Sequence, residues 1–66
     1  EDTHILEFRI GFALEKLKQN EAAMQHYLLS IGNKPEYLYA WWNGGNILYG
    51  NGRYDSAAIF YKKAIQ

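Results

Sequence analysis

The sequence contains no cysteine, which removes disulfide frameworks, thiolate metal sites and cysteine nucleophiles together. It has no surplus of charge either: seven basic and seven acidic side chains are interspersed and the formal net charge is zero. Nothing therefore favours long-range attraction to nucleic acid or to an anionic membrane surface. No apolar run approaches the roughly 20 residues of a membrane span. The most hydrophobic segment, Tyr37 to Tyr49, is broken by Asn43, Gly44, Gly45 and Asn46. Pro/Gly/Ser linkers, charge blocks and low-complexity segments are absent. So are an initial Met and a signal-peptide pattern, as expected of a piece excised or processed from a longer chain. The expected partners are thus neither nucleic acid nor membrane, and the compartment is left open.

The chain is short. Sixty-six residues make one domain or part of one, and a chain of this size buries only about 60% of its unfolded surface. Such a core is marginal unless ligands or neighbours add to it.

Candidate chemistry is sparse. His4 and His26 are far apart and belong to neither an H-x3-H nor an HExxH arrangement, so a helical zinc site has no local support and each reads as a surface or boundary residue. Thr3, Ser30 and Ser56 lack the strand-turn-helix context of an activated nucleophile. Gly44-Gly45 and Gly50-Asn51-Gly52 lack the preceding strand and the Lys-Ser/Thr of a phosphate loop. Lys62-Lys63 stands alone as a basic pair and reads as a solvated helix face. No catalytic residue, metal ligand or cofactor is expected, and the chain reads as non-enzymatic.

What the chain does have is a repeated hairpin. In Ala40 to Ile65, small or apolar residues at Trp41, Gly44, Gly45 and Leu48 follow helix spacing. After the breaker Gly50-Asn51-Gly52, Ala57, Tyr61, Ala64 and Ile65 continue it, giving a helix, a tight turn and a returning helix. A glycine inside a helix costs about 1 kcal/mol relative to Ala. The expected compensation is close approach of two helix backbones, with Gly45 facing Ala57. A shift of 34 places superposes Gly11 on Gly45, Leu14 on Leu48, Ala23 on Ala57, Tyr27 on Tyr61 and Ile31 on Ile65, so one unit is written twice.

Four helices follow in order. The first starts at Asp2-Thr3, either of which can cap it, and runs to Lys18. Its inward stripe is Leu6, Ile10, Ala13, Leu14 and Leu17, with Glu7, Glu15 and Lys18 toward solvent. The second runs from Asn20, as cap, to Ile31 with Gly32 as the stop, turning Ala23, Tyr27 and Ile31 inward with Met24 and Leu28 beside them. The third runs from Pro35, in its first turn, to Tyr49. The fourth runs from Tyr54 to the chain end.

Trp41, Gly45, Ala57 and Ala64, with Leu48 and Tyr61 as conservative variants, resemble the tetratricopeptide repeat signature W-x2-L-G-x2-Y, A-x3-F, P, and Pro35 occupies its closing proline. Gly44 departs by replacing the usual Leu, and Glu7 stands where the family has Trp, as suits a first helix without a predecessor. The resemblance covers His4 to Gln66. It implies an all-α, right-handed α-α superhelix of four antiparallel helices in two hairpins, within a single domain 1–66. Repeat one spans 4–37, and repeat two spans 38–66 without a capping helix.

Tyr39, Trp42, Asn46 and Tyr49 form a second apolar face on the third helix, rotated about 100° from the Trp41-Gly45-Leu48 face. Ile5, Phe8 and Phe12 occupy the equivalent face of the first helix. The resemblance implies that these positions line a concave groove that takes an extended peptide or a partner helix. Asn46, assisted by Asn43, would hold the partner's main chain while the aromatics supply apolar area. The subtype that grips a C-terminal carboxylate would want Lys and Asn where this chain has Phe8 and Phe12. The alternative is a self-assembling homo-oligomeric scaffold that uses Ile59, Phe60, Ala64 and Ile65 of the last helix together with the aromatic face.

Overall fold

The computed structural model describes residues 2–66, and Glu1, counted in the single domain above, lies outside the described residues. Its elements are α1 (Thr3–Lys16), α2 (Asn20–Asn33), α3 (Leu38–Gly50) and α4 (Tyr54–Ala64). The chain is all-helical, as expected. α1 packs on α2 and α3 on α4 as hairpins, α2 packs on α3 between them, and α1 touches α3 while α2 and α4 stay apart. The row therefore curves with α1 and α3 on its inner side. It forms a slab of 33 × 29 × 13 Å.

Both hairpins turn by the same device. Lys18 N–H donates to the Glu15 carbonyl and Gln19 N–H to that of Leu14; one period later Gly52 N–H donates to Tyr49 and Arg53 N–H to Leu48. These paired bonds satisfy the last carbonyls of α1 and α3 and require a left-handed residue just past the cap. Gly52 supplies it at φ 80° and Lys18 at φ 66°. α1 consequently ends at Lys16, short of the expected Lys18. Gly50, expected as part of the breaker, is helical.

The link between the repeats is set by Pro35, though not from inside a helix. Lys34 before it is extended at φ −151°, as the proline ring requires of its predecessor. Tyr37 N–H donates to the Lys34 carbonyl at 3.0 Å, so Pro35 sits at the second position of a β-turn. α3 accordingly starts at Leu38. Gly32 is not the stop: α2 runs through it to Asn33. Gln19 rather than Asn20 occupies the N-cap of α2, and neither it nor Asp2 of α1 makes a side-chain cap bond. α4 ends at Ala64, short of the chain end.

Packing within the hairpins corrects two expectations. A Cβ on Gly45 would meet the Tyr61 ring at 2.8 Å, and one on Gly11 would meet the Tyr27 ring at 2.7 Å. Each glycine is thus a seat for an aromatic ring one period apart, and the atoms nearest an added Cβ at Gly45 belong to Tyr61 and Phe60 rather than to Ala57. At Gly11 the Ala23 carbonyl also lies 3.1 Å from the added Cβ, so the backbones of α1 and α2 are close there. Because α2 docks at Gly11, the face of α1 centred on that residue turns inward. Leu6 and Leu17, placed above on an inward stripe, are 61% and 64% exposed. Ile10 and Ala13 are exposed as well, and only Leu14 of that stripe is half-buried.

Glu7 and Glu15, expected in solvent, face α2 instead. Glu7 Oε1 lies 2.7 Å from Nδ1 of His26. At the positions 34 residues later, Trp41 and Phe60 meet edge to face with ring centroids 4.9 Å apart. One interhelical position thus carries a polar pair in the first hairpin and an aromatic pair in the second. The Trp41 indole N–H also donates to the Pro35 carbonyl at 2.8 Å, tying α3 to the connector. Ser30 is fully buried and donates its hydroxyl to the His4 carbonyl at 2.8 Å. The core joins Ala23, Tyr27 and Ile47, with Phe8, Leu14 and Met24 packed against them.

Three stability changes follow. Gly11→Ala lowers stability by about 1–3 kcal/mol despite a helix-propensity gain of about 1 kcal/mol, because buried Tyr27 has nowhere to move. Gly45→Ala costs less, since Tyr61 is half-exposed and can give. Lys18→Gly raises stability by about 1 kcal/mol by removing the left-handed penalty. Urea unfolding followed by circular dichroism checks all three, and an unchanged midpoint for Gly11→Ala contradicts the seating of Tyr27.

Candidate partner-binding face

The inner side of the row carries two groups of rings. Phe8 is the hub of the first. Its ring centroid lies 6.1 Å from Phe12 in a stacked arrangement, 5.6 Å from Tyr27, 5.6 Å from Tyr37 and 6.1 Å from Tyr39. Tyr37 and Tyr39 meet at 5.4 Å, and His4 packs edge-on to Tyr37 at 4.9 Å. Tyr61 is the hub of the second group, with Trp42 at 5.0 Å and Tyr49 at 6.5 Å. Tyr49 meets Tyr54 at 5.1 Å. Offset and edge-on pairs at these distances add about 0.5–1.5 kcal/mol each beyond area burial.

The sequence-derived residues divide by depth. Phe12, Tyr39, Trp42, Asn46 and Tyr49 are exposed, whereas Ile5, Phe8 and Asn43 are half-buried. Tyr39 and Trp42, at 65% and 48% exposure, line a shallow depression of about 540 Å³ with Glu36, Tyr37, Leu38 and Ala64. Glu36 is its charged lining residue. Tyr49 belongs to a separate hollow with Tyr54, Ala57, Ala58 and Tyr61. Phe12 carries the Lys16 ammonium 5.0 Å from its ring centroid, an arrangement favoured by the ring quadrupole.

The two asparagines are already engaged. The Tyr61 hydroxyl donates to Oδ1 of Asn46, so the carbonyl expected to meet a partner's main chain is held by α4. Asn43 donates through Nδ2 to the Tyr27 hydroxyl at 3.2 Å. It supports the floor of the site rather than its surface.

Of the expected assembly surface on α4, Ile59 and Ile65 are exposed, while Phe60 turns inward onto Trp41 and Gly44. Ala64 is half-buried beside Trp42. Two participants went unassigned in the sequence. Tyr37 lies in the connector, outside any helical period, and Tyr61 read only as a hairpin residue. The alternation Tyr37-x-Tyr39 next to Pro35 is the signal that places two rings together once the connector is read as a turn.

Beneath the face lies a polar chain. Tyr27, fully buried, donates its hydroxyl to Oε1 of Glu15 at 2.6 Å and accepts from Asn43. Burial, and then the Glu15 carboxylate at the hydroxyl, hold the phenol well above its ordinary value of 10.0, against a smaller opposite pull from Asn43. The chain links α1, α2 and α3 at one point and fixes Phe8, whose ring rests on Tyr27. Among the described residues no group of three or more Asp, Glu or His side chains is placed to hold a metal ion. No helix among them is long and apolar enough to cross a membrane.

Comparison with known families adds one finding. The family model of the tetratricopeptide repeat matches residues 8–37 and again 38–66. No curated protein gave a significant match.

The raised Tyr27 phenol has a consequence for stability. Stability is unaffected by this group below about pH 10, where the phenol is protonated in both states, and falls as pH rises above that, because only the unfolded chain then releases the proton. Tyr27→Phe removes this alkaline component. It also lowers neutral-pH stability by about 1–2 kcal/mol, since Glu15 and Asn43 lose a partner. Unfolding midpoints between pH 7 and 11 for the two chains measure both effects.

Proposed function

The chain belongs to the tetratricopeptide repeat family, whose repeats are protein–protein interaction modules, and from that premise we propose that it binds a peptide or a partner helix along the inner face of α1 and α3. The observation that carries this reading is the layering of the rings: exposed Phe12, Tyr39, Trp42 and Tyr49 each rest on another ring. Rings held this way lose little freedom when a partner covers them, so their apolar area converts into affinity with a small ordering cost.

The partner is apolar at the positions that meet Tyr39 and Trp42, and its binding needs no cofactor and no chemistry by this chain. Main-chain recognition falls to the amide nitrogen of Asn46, because its carbonyl accepts from Tyr61. Specificity then rests mainly on the shape of the depression between the start of α3 and the end of α4.

Selection of linear peptides from a displayed random library on the wild-type chain, followed by titration against variants, tests the reading. Tyr39→Ala and Trp42→Ala each weaken the selected peptides by about 30-fold, the scale of an interface hot spot, while melting changes little. A Trp42→Ala loss of about 3–5 kcal/mol in stability, typical of a core aromatic, assigns the residue to packing and removes it from the site. A library that yields no peptide sensitive to either substitution contradicts the reading.

A further inference from the structure

Two asparagines precede a glycine, Asn43 before Gly44 and Asn51 before Gly52, whereas Asn20, Asn33 and Asn46 precede larger residues. An asparagine before glycine can lose its side-chain amide without an enzyme. The glycine backbone nitrogen, deprotonated by base, bonds to the asparagine Cγ; the Cγ–Nδ2 bond breaks, ammonia leaves and a five-membered succinimide remains. Water then opens either ring carbonyl, giving aspartate or, with the main chain rerouted through Cγ, isoaspartate. Glycine favours the first step because no side chain crowds its nitrogen and its backbone turns freely. By sequence the two pairs are equivalent.

The fold separates them. Gly44 is buried within α3, where its N–H is committed to the helical bond one turn back. The Phe60 ring lies 3.0 Å from where its Cβ would stand. Asn43 is half-buried and donates through Nδ2 to the Tyr27 hydroxyl at 3.2 Å. Reaction there requires α3 to unwind and leave its neighbours. Asn51 and Gly52 are instead exposed, in the turn between α3 and α4. Asn51 lies at ψ 3°, which turns the Gly52 nitrogen away from its side-chain carbonyl, and rotation of one peptide brings the two together. The cost is the pair of turn bonds, Gly52 N–H to Tyr49 at 3.0 Å and Arg53 N–H to Leu48 at 2.9 Å. Exposed backbone bonds of this kind open locally, at far lower cost than a buried helix.

We propose that Asn51 is a modification site, which in the folded protein converts spontaneously to aspartate and isoaspartate while the fold preserves Asn43. The new carboxylate stands at the C-terminus of α3, beside the Ile47 and Leu48 carbonyls that the Asn51 N–H meets at 3.0 and 3.2 Å. Negative charge is unfavourable at that end of a helix. Isoaspartate also adds a methylene to the main chain inside the turn, which breaks the register of the two turn bonds. Tyr49 and Tyr54, whose rings meet across this turn at 5.1 Å, then lose their fixed spacing. The site is independent of what the inner face binds.

Incubation of the wild-type chain in mildly alkaline buffer, folded and in guanidinium chloride, followed by peptide mapping with fragmentation mass spectrometry, tests this. In denaturant both asparagines convert at similar rates. In the folded chain Asn51 converts at least about tenfold faster than Asn43, the difference between local and global opening, and the product includes isoaspartate. Asn51→Ser, shown to be folded by circular dichroism, keeps the conversion of Asn43 in denaturant and loses the folded-state product. The isoaspartyl form, separated by chromatography, unfolds at a lower denaturant concentration than the fresh chain.

Equal rates at the two asparagines in the folded chain overturn the proposal, since both would then react only through global unfolding. So does an Asn51 that stays intact over an incubation about thirtyfold longer than the unfolded chain needs, which would mean that the turn does not open locally. An isoaspartyl form as stable as the fresh chain overturns the stated effect on the turn.

Discussion

In each hairpin the edge of a tyrosine ring lies where a glycine leaves room for it, Tyr27 on Gly11 and Tyr61 on Gly45, and the remaining geometry depends on that fit. A side chain at either glycine would meet the ring at under 3 Å, and buried Tyr27 has less room to yield than half-exposed Tyr61. With Tyr27 seated, its hydroxyl reaches Glu15 on α1 and receives Asn43 from α3, so one residue of α2 ties three helices together. With Tyr61 seated, its ring becomes the support for Trp42 and its hydroxyl engages Asn46. The glycine therefore decides which face of each first helix is interior, and the tyrosine carries that decision to the inner surface of the row.

Around this constraint the two hairpins share a backbone and differ in chemistry. The position that joins Glu7 to His26 in one joins Trp41 to Phe60 in the other, and the left-handed turn residue is Lys18 in one and Gly52 in the other. Both solutions satisfy the same demand, since a hydrogen-bonded polar pair and an edge-on ring pair each bridge the interhelical gap. The first is held by directional bonding and the second by area, so the second hairpin is the more apolar, and its exposed surface is correspondingly aromatic.

A short row of hairpins has few places to hide apolar surface, because each repeat touches only its neighbours. Here that surface is divided in kind. The inner face shows aromatic rings stacked on other rings, rigid and suited to covering by a chain of another protein. The outer sides of α1 and α4 show the aliphatic side chains Ile10, Leu17 and Ile59 instead.

Much of this was legible in the sequence. The 34-residue period, the all-helical hairpins and the aromatic character of the α3 face follow from residue spacing, because helical periodicity maps sequence directly onto faces, and the family follows from the resemblance of Trp41, Gly45, Ala57 and Ala64 to its signature. The choice between faces was not legible. α1 is apolar at Leu6, Ile10, Ala13, Leu14 and Leu17 on one side and at Ile5, Phe8 and Phe12 on another, and counting hydrophobic residues favours the first, of which only Leu14 is even half-buried. Nor could spacing show that Glu7 and Glu15 have partners on α2, that Asn46 is held by Tyr61, or that Tyr37 joins the ring cluster. Local propensity and period determined the elements and their repeat; only the tertiary structure decided which face each helix buries, because that depends on how closely two backbones can approach and on polar partners from other helices, and neither is a property of one helix read alone.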